Sequence, residues 1–361
     1  MLAFFVFLPL LLIFALLGVY AERKLAGFIQ DRLGPTEVGP YGLLQTLADV
    51  LKLIQKEDLI PISADRWLYK TAPFVVFTSV LVGFSVVPLS SDLVGARLDV
   101  GLFFLLAFVA LDIIGILMAG WGSESKYALF GAVRAVAQMI SYELPLGLSV
   151  LGVVILCGSL DLQSISFQQG IFTEWETNYL FGLPALGVEV SDWGGVFLWN
   201  VVRMPVLLPA FVVFFIASLA EANRAPFDLP EAESELIAGF LTEYSGFRWS
   251  IFMLAEYGMM LLVSMLGVVL FWGSWNTPLP NMGVVRLADY TSGTPGMLSG
   301  HLWGAFWLIS KSLILIFVQM WVRWSYPRLR IDQLMRLCWQ YLIPASLLLF
   351  FLATFWKALG Q

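Results

Sequence analysis

The sequence predicts an all-α integral membrane protein with about eight transmembrane helices plus an amphipathic interfacial helix. Three observations predict it. Of the 361 residues, 59% are hydrophobic and only 13% are charged, with a mean hydropathy of +0.84; a soluble domain is nearer 45–50% apolar and about 25% charged. The apolar residues come in continuous runs of roughly 20, enough for a helix to cross a hydrocarbon core about 30 Å thick. The runs lack period-2 alternation, which argues against a β-barrel.

Eight segments reach that length, near 2–21, 72–90, 100–121, 139–158, 204–221, 249–273, 302–322 and 337–357, in one membrane domain spanning 1–361. The first lacks a positive n-region and an A-x-A-like site ahead of Glu22-Arg23-Lys24, so it reads as a retained helix and not as a signal peptide. Four loops, 22–71, 122–138, 222–248 and 323–336, hold fifteen of the 20 Lys and Arg residues. The positive-inside rule puts these loops in the cytoplasm and both termini outside, as expected of a multi-pass protein of a bacterial plasma membrane. The sequence shows no internal repeat, a feature that a secondary transporter tends to carry.

Composition also narrows the chemistry. No basic domain stands apart from the spans, so nucleic acid is not an expected partner. Two cysteines, Cys157 and Cys338, and one histidine, His301, are too few for an iron–sulfur cluster or a structural zinc site. The chain is expected to bind no metal and no redox cofactor of its own, leaving electrons to partner subunits.

The inner loops carry the informative residues. Residues 42–56 form an amphipathic pattern, with Leu43, Leu44, Leu47, Leu51 and Ile54 on one face and Gln45, Asp49, Lys52 and Lys56 on the other. By pattern alone this fits first a helix lying in the interface; the sharper alternative is a wall of a cavity that a lipid-soluble ligand enters sideways. Loop 221–248 concentrates carboxylates at Glu221, Asp228, Glu231, Glu233, Glu235 and Glu243, with Arg224 the one cation before Arg248. Asp228, Pro230 and Glu231 fit a helix start, which leaves the remaining acids unexplained; Glu231 and Glu235 are like charges at i,i+4. Crowded loop carboxylates near a membrane are expected to titrate in a coupled way at raised pKa. Asp112, Glu143, Glu256 and Lys311 fall within or at the mouths of spans, where ionisable groups mark an ion pathway or an internal pair. Pro145, two residues after Glu143, is expected to distort that helix.

Several of these stretches are long enough to carry a resemblance. Glu22-Arg23-Lys24, Gly34-Pro35 through Gly39-Pro40, Leu47-Ala48-Asp49 with Lys52, and Lys56-Glu57-Asp58 resemble the first inner loop of the quinone-chamber membrane subunit, the H subunit, of proton-translocating NADH:quinone oxidoreductase, respiratory complex I. Lys126-Tyr127, Gly131, Arg134, Ala137-Gln138 and Ser141-Tyr142-Glu143 resemble its second, Glu221 through Tyr244 its third, and Arg323-Trp324, Pro327-Arg328, Arg330 and Asp332 to Met335 its fourth.

The resemblance implies a subunit that forms the membrane side of a quinone chamber and couples quinone reduction to proton translocation through carboxylates. It implies partners among other complex I membrane subunits and the quinone-site subunits of the peripheral arm, where NADH, FMN and iron–sulfur clusters are expected. Glu143, Glu221, Glu231, Glu233, Glu235, Glu243 and Glu256 fall on the family's acidic positions; Arg23, Asp49, Leu51, Arg134, Arg224 and Asp228 are expected at or beside the chamber. Two departures stand out. Glu37 replaces a basic residue that many relatives carry, and the family's span-3 acid aligns near Ala110 whereas this chain has Asp112. Two residues rotate a helix by about 200°, so Asp112 is expected to face elsewhere. A related hydrogenase or plastid-type dehydrogenase subunit, and more remotely a stand-alone transporter, are the alternatives.

Overall fold

The structure, a computed structural model, describes residues 2–172, 179–182, 187–191, 193–228, 238–282, 285–292 and 294–360. Its helices are α1 (Leu2–Ile29), α2 (Gln45–Gln55), α3 (Arg66–Phe84), α4 (Gly101–Val109), α5 (Leu111–Gly122), α6 (Lys126–Cys157), α7 (Leu162–Phe167), α8 (Asn200–Arg203), α9 (Leu207–Glu221), α10 (Gly246–Phe271), α11 (Leu287–Ser292), α12 (Leu298–Ser325), α13 (Ile331–Arg336) and α14 (Ile343–Gly360). A π-helical turn, Leu337–Leu342, joins α13 to α14. The strands among the described residues are the two-residue pair Asn281–Met282 and Val285–Arg286.

Among the described residues, seven helical segments are long and apolar enough to cross a membrane: Phe5–Ile29, Arg66–Phe84, Gly101–Gly122, Lys126–Cys157, Gly246–Phe271, Leu298–Ser325 and Ile331–Leu359. The eighth expected span is the shorter apolar helix Leu207–Glu221. Its 15 residues rise about 22 Å, less than the hydrocarbon thickness.

The long helices overlie the apolar runs, but several extend past them, because a helix stops where its hydrogen bonds stop and not where its polarity changes. α1 runs eight residues beyond 21, through Glu22-Arg23-Lys24. α6 begins at Lys126, so most of the expected loop 122–138 is helix. α3 starts at Arg66, where Asp65 caps the backbone N–H groups of Trp67 and Leu68. The expected span 100–121 is two helices that meet at Ala110.

α10 is the central pillar. It packs against α1, α3, α9 and α12, and from Tyr257 to Phe271 every residue is buried. A buried helix end must have its last carbonyls satisfied, and three other segments supply the donors. Gln169 donates to the Val269 carbonyl (2.8 Å), Asn200 to Leu270 (2.7 Å) and Lys311 to Trp272 (2.9 Å). Lys311 also donates to Asn276 at 2.8 Å and lies over the Trp199 ring. This intramembrane cation is therefore a helix-end cap, favoured there by the negative end of the helix dipole.

Two in-helix prolines act as docking points. Proline has no N–H, so the carbonyl four residues earlier loses its helical donor. Pro145 does not break α6; the Ser141 carbonyl it releases accepts from Cys338 Sγ at 3.0 Å. Pro73 releases the Tyr69 carbonyl, which accepts from the Tyr244 hydroxyl at 3.2 Å. The Tyr69 and Tyr244 rings stack 4.2 Å apart, and the Tyr69 hydroxyl donates to the Glu243 carbonyl at 2.8 Å.

Close backbone approach completes the bundle. A Cβ on Gly131 of α6 would lie 2.7 Å from the Gly239 Cα, and one on Gly115 of α5 3.0 Å from the Val76 nitrogen of α3. Both glycines are required by the space and not by the backbone conformation.

Candidate functional site: a buried ion network between a cavity and a row of carboxylates

α1 brings Glu22 against α10, the loop after α9 and the inner end of α12. The Glu22 carboxylate accepts from Arg224 at 3.1 Å, from the Tyr257 hydroxyl at 2.6 Å and from Arg323. Arg224 also pairs with Glu256 through Nε at 3.1 Å and lies over the Tyr257 ring at 4.4 Å. Two carboxylates and two guanidinium groups thus neutralise one another, and the Glu22 and Arg224 side chains are almost wholly removed from solvent. Burial works against the Arg224 charge, but Glu256 and Glu22 outweigh it and hold its pKa above the ordinary guanidinium value.

The loop that carries Arg224 is fixed from below. Gln138 of α6, fully buried, donates to the Ala220 and Phe227 carbonyls, both at 2.8 Å. Asp228 is buried and pairs with Arg328 at 3.2 Å. Burial pushes the Asp228 pKa up to about 6 against the pull of Arg328 and Arg323. The Leu329 N–H donates to the Pro226 carbonyl at 3.1 Å, docking the fourth inner loop on the third.

On one side of the network lies a cavity of about 550 Å³ between α1, α2, α10 and the end of α12. Glu22, Tyr257 and Arg323 line it, as do Arg23 and Asp49, which form an ion pair at 2.5 Å. Of α2, Thr46, Leu47, Val50 and Leu53 face the cavity. Leu51 is not among the lining residues, and its side chain is exposed. The apolar face expected at Leu43, Leu44, Leu47, Leu51 and Ile54 supplies only part of the wall: Leu47 lines the cavity, and Thr46, Val50 and Leu53 complete that side of α2.

On the other side are two small cavities in the bundle. The first, about 40 Å³, is lined in part by Asp112, Glu221 and Glu256. The second, about 20 Å³, is lined in part by Glu143 and Glu221. Glu221 lines both, so the order is Glu256, then Asp112 and Glu221, then Glu143. Asp112 corrects the expectation that it faces elsewhere: it is buried and joins the row.

The remaining expected residues are dispersed. Arg134 is half-buried on α6 and lines none of these cavities, nor does Glu243. Glu231, Glu233 and Glu235 lie outside the described residues. Sequence reasoning missed Glu22, Tyr257 and Arg323. Glu22 carried a usable signal, an acid flanking an apolar run, but the hydropathy boundary at 21 assigned it to a loop.

These features define a polytopic α-helical membrane protein in which an internal ion network separates a large cavity from a buried row of carboxylates. The chain belongs to the NADH dehydrogenase family, whose profile matches residues 1–354. It is 58% identical over 352 residues to an H subunit of NADH-quinone oxidoreductase, the one numbered 2, of Cytophaga hutchinsonii, covering 97% of this chain and 96% of the relative. It is 48% identical over 339 residues to the H subunit of NADH-quinone oxidoreductase of Chlorobium luteolum, covering 94% of this chain and 84% of the relative. With the H subunit of the same enzyme from Anaeromyxobacter dehalogenans the identity is 41% over 343 residues, covering 94% and 78%.

The network makes a stability prediction. Removing one partner of a buried ion cluster typically costs about 3–5 kcal/mol, because it strands the others' charges. Glu22→Gln is expected to lower the thermal stability of the purified complex and its yield on native gels, while Glu22→Asp keeps the charge and loses less. A Glu22→Gln protein as stable as the wild type contradicts the ionic reading of this site.

Proposed function

We propose that this chain is the membrane subunit of a proton-pumping NADH:quinone oxidoreductase, forming the membrane side of the quinone chamber and coupling quinone reduction to proton translocation. The observation that carries the reading is the continuity from the 550 Å³ cavity through Glu22 and Arg224 to Glu256, and on to Asp112, Glu221 and Glu143. The relatives' name supports quinone as substrate and the other subunits of the complex as partners. NADH, FMN and iron–sulfur clusters belong, in this reading, to those partners.

The cavity suits a quinone by its chemistry. Its walls are largely apolar, with charged and hydroxyl groups at Glu22, Arg23, Arg32, Thr46, Asp49, Ser250, Tyr257 and Arg323, as expected of a site for an amphiphilic ring on an apolar tail. Reduction of a quinone takes up two electrons and two protons. The negative charge that the electrons bring to the ring before its protons arrive acts, beside Glu22 and Arg323, on Arg224, which holds Glu256 by the same guanidinium. A weakened Arg224–Glu256 pair alters the electrostatic cost of a proton on Glu256, and with it on Asp112 and Glu221, across a low-dielectric interior where charges interact strongly. Carboxylates so arranged pass protons toward Glu143.

Orientation follows from charge. We infer that loops 22–71, 122–138, 222–248 and 323–336 face the cytoplasm and that both termini face outside. Cys157 and Cys338 are buried, so they give little background in thiol labelling. A cysteine at exposed Leu33 is expected to react with an impermeant maleimide only from the cytoplasmic side, and one at exposed Tyr290 only from outside. The reverse pattern overturns the orientation.

The chamber is tested by comparing neighbours on α2. Leu53→Trp fills the cavity and is expected to raise the KM for quinone while leaving reduction of a water-soluble artificial acceptor unchanged. Leu51→Trp, on the exposed face, is expected to leave both unchanged. Equal effects of the two on KM remove the chamber reading.

The proton route is tested at its inner end. Glu143→Gln keeps size and hydrogen bonding but carries no proton. It is expected to assemble normally and to lose most quinone reductase activity and proton pumping together, whereas Glu143→Asp retains part of both. Normal pumping by assembled Glu143→Gln leaves Glu143 as a structural acid.

A further inference from the structure

A second cavity, of about 370 Å³, lies on the far side of α1 from the large one, between α1, α10 and α12. Leu10, Ile13, Leu17 and Ala21 of α1 face Leu313 and Phe317 of α12 across it, and every residue of its lining is apolar. Along α1 it runs from Leu10 to Leu25, about 22 Å at helical rise. A volume of 370 Å³ over that length, widened by the radius of a water molecule to give the full bore, corresponds to a mean cross-section of about 40 Å². A helix with side chains, about 10–12 Å across, needs roughly 80–110 Å². A methylene chain, with neighbours in contact at about 4 Å, occupies roughly 15–20 Å². The groove has room for an extended hydrocarbon chain of a lipid and is narrower than a helix of another subunit.

The groove also has a polar end. Lys24 follows Leu17 and Ala21 at i+7 and i+3, which puts it on the groove-lining face of α1 one turn beyond Ala21. Its ammonium lies 5.8 Å from the centre of the Tyr20 ring, and no acid among the described residues forms a salt bridge with it. A cation at the level where the apolar lining ends is complementary to a lipid phosphate.

We propose that this groove seats one acyl chain of a glycerophospholipid whose phosphate rests on Lys24, so that a lipid braces the back of α1. The same helix presents Leu12, Ala15, Leu16 and Val19 to the large cavity and carries Glu22 at the head of the ion network. The proposal does not rest on which ligand the large cavity holds.

The test uses the purified, assembled complex in nanodiscs of phosphatidylcholine containing a little phosphatidylglycerol with a diazirine in one acyl chain. Irradiation is expected to label peptides 10–25 and 309–320 above the rest of the lipid-facing surface. Leu313→Trp, which fills the groove, is expected to abolish that excess with assembly on native gels unchanged. Lys24→Gln is expected to weaken labelling about five-fold, as for loss of one cation at a membrane surface. Uniform labelling, or an excess that survives Leu313→Trp, overturns the proposal. So does a quinone with a diazirine in its isoprenoid tail that labels these peptides in preference to the lipid, or cross-linking of the groove to a neighbouring subunit's helix.

Discussion

The Glu22–Arg224 pair is the interaction on which the rest of the site depends. Neither group tolerates burial alone, since each would leave a charge in a medium that cannot solvate it. Once paired, Arg224 has spare donors for Glu256, and Glu22 has spare lone pairs for Arg323 and Tyr257. Four segments far apart in sequence are thereby tied at one point: α1, the loop after α9, α10 and the end of α12. The large cavity lies on one side of that point and the carboxylate row on the other. In the proposed reading, a change in charge at the cavity wall is felt at the row through these ion pairs.

The surrounding fold supplies the rigidity this needs. Buried Gln138 holds the Arg224 loop by two carbonyls, and three side chains cap the far end of α10. Prolines in α3 and α6 give up backbone carbonyls that neighbouring segments then engage. A backbone group freed inside a membrane protein must find another partner, so each proline specifies a contact as well as a local geometry.

Much of this was legible from the residues. Composition and run length gave the helical membrane class and the number of apolar segments, because span length is set by bilayer thickness. Glu143, Glu221 and Glu256 were recognisable as ionisable groups placed where charge is costly, and loop motifs gave the family. What the sequence hid was partnership. Glu22 lies one residue past a hydropathy boundary, yet α1 continues for eight residues beyond that boundary, so an interior acid read as a loop acid. Arg323 and Tyr257 are distant in sequence from Glu22 and carry no pattern that points to it. A two-residue offset from the aligned acid position argues against Asp112, yet it is buried and lines the same small cavity as Glu221 and Glu256. Leu51 shares the leucine periodicity of α2, but periodicity identifies a face and not which neighbour covers it.

The central claim is that quinone reduction at the large cavity changes the protonation of the carboxylate row through Arg224. Redox-difference infrared spectroscopy of the assembled complex measures this directly, because protonated carboxyl groups absorb apart from carboxylates. The account predicts a carboxyl signal on quinone reduction that disappears in Glu221→Gln, the variant at the residue lining both small cavities. A quinone-dependent spectrum whose carboxyl region is the same in wild type and Glu221→Gln would contradict it.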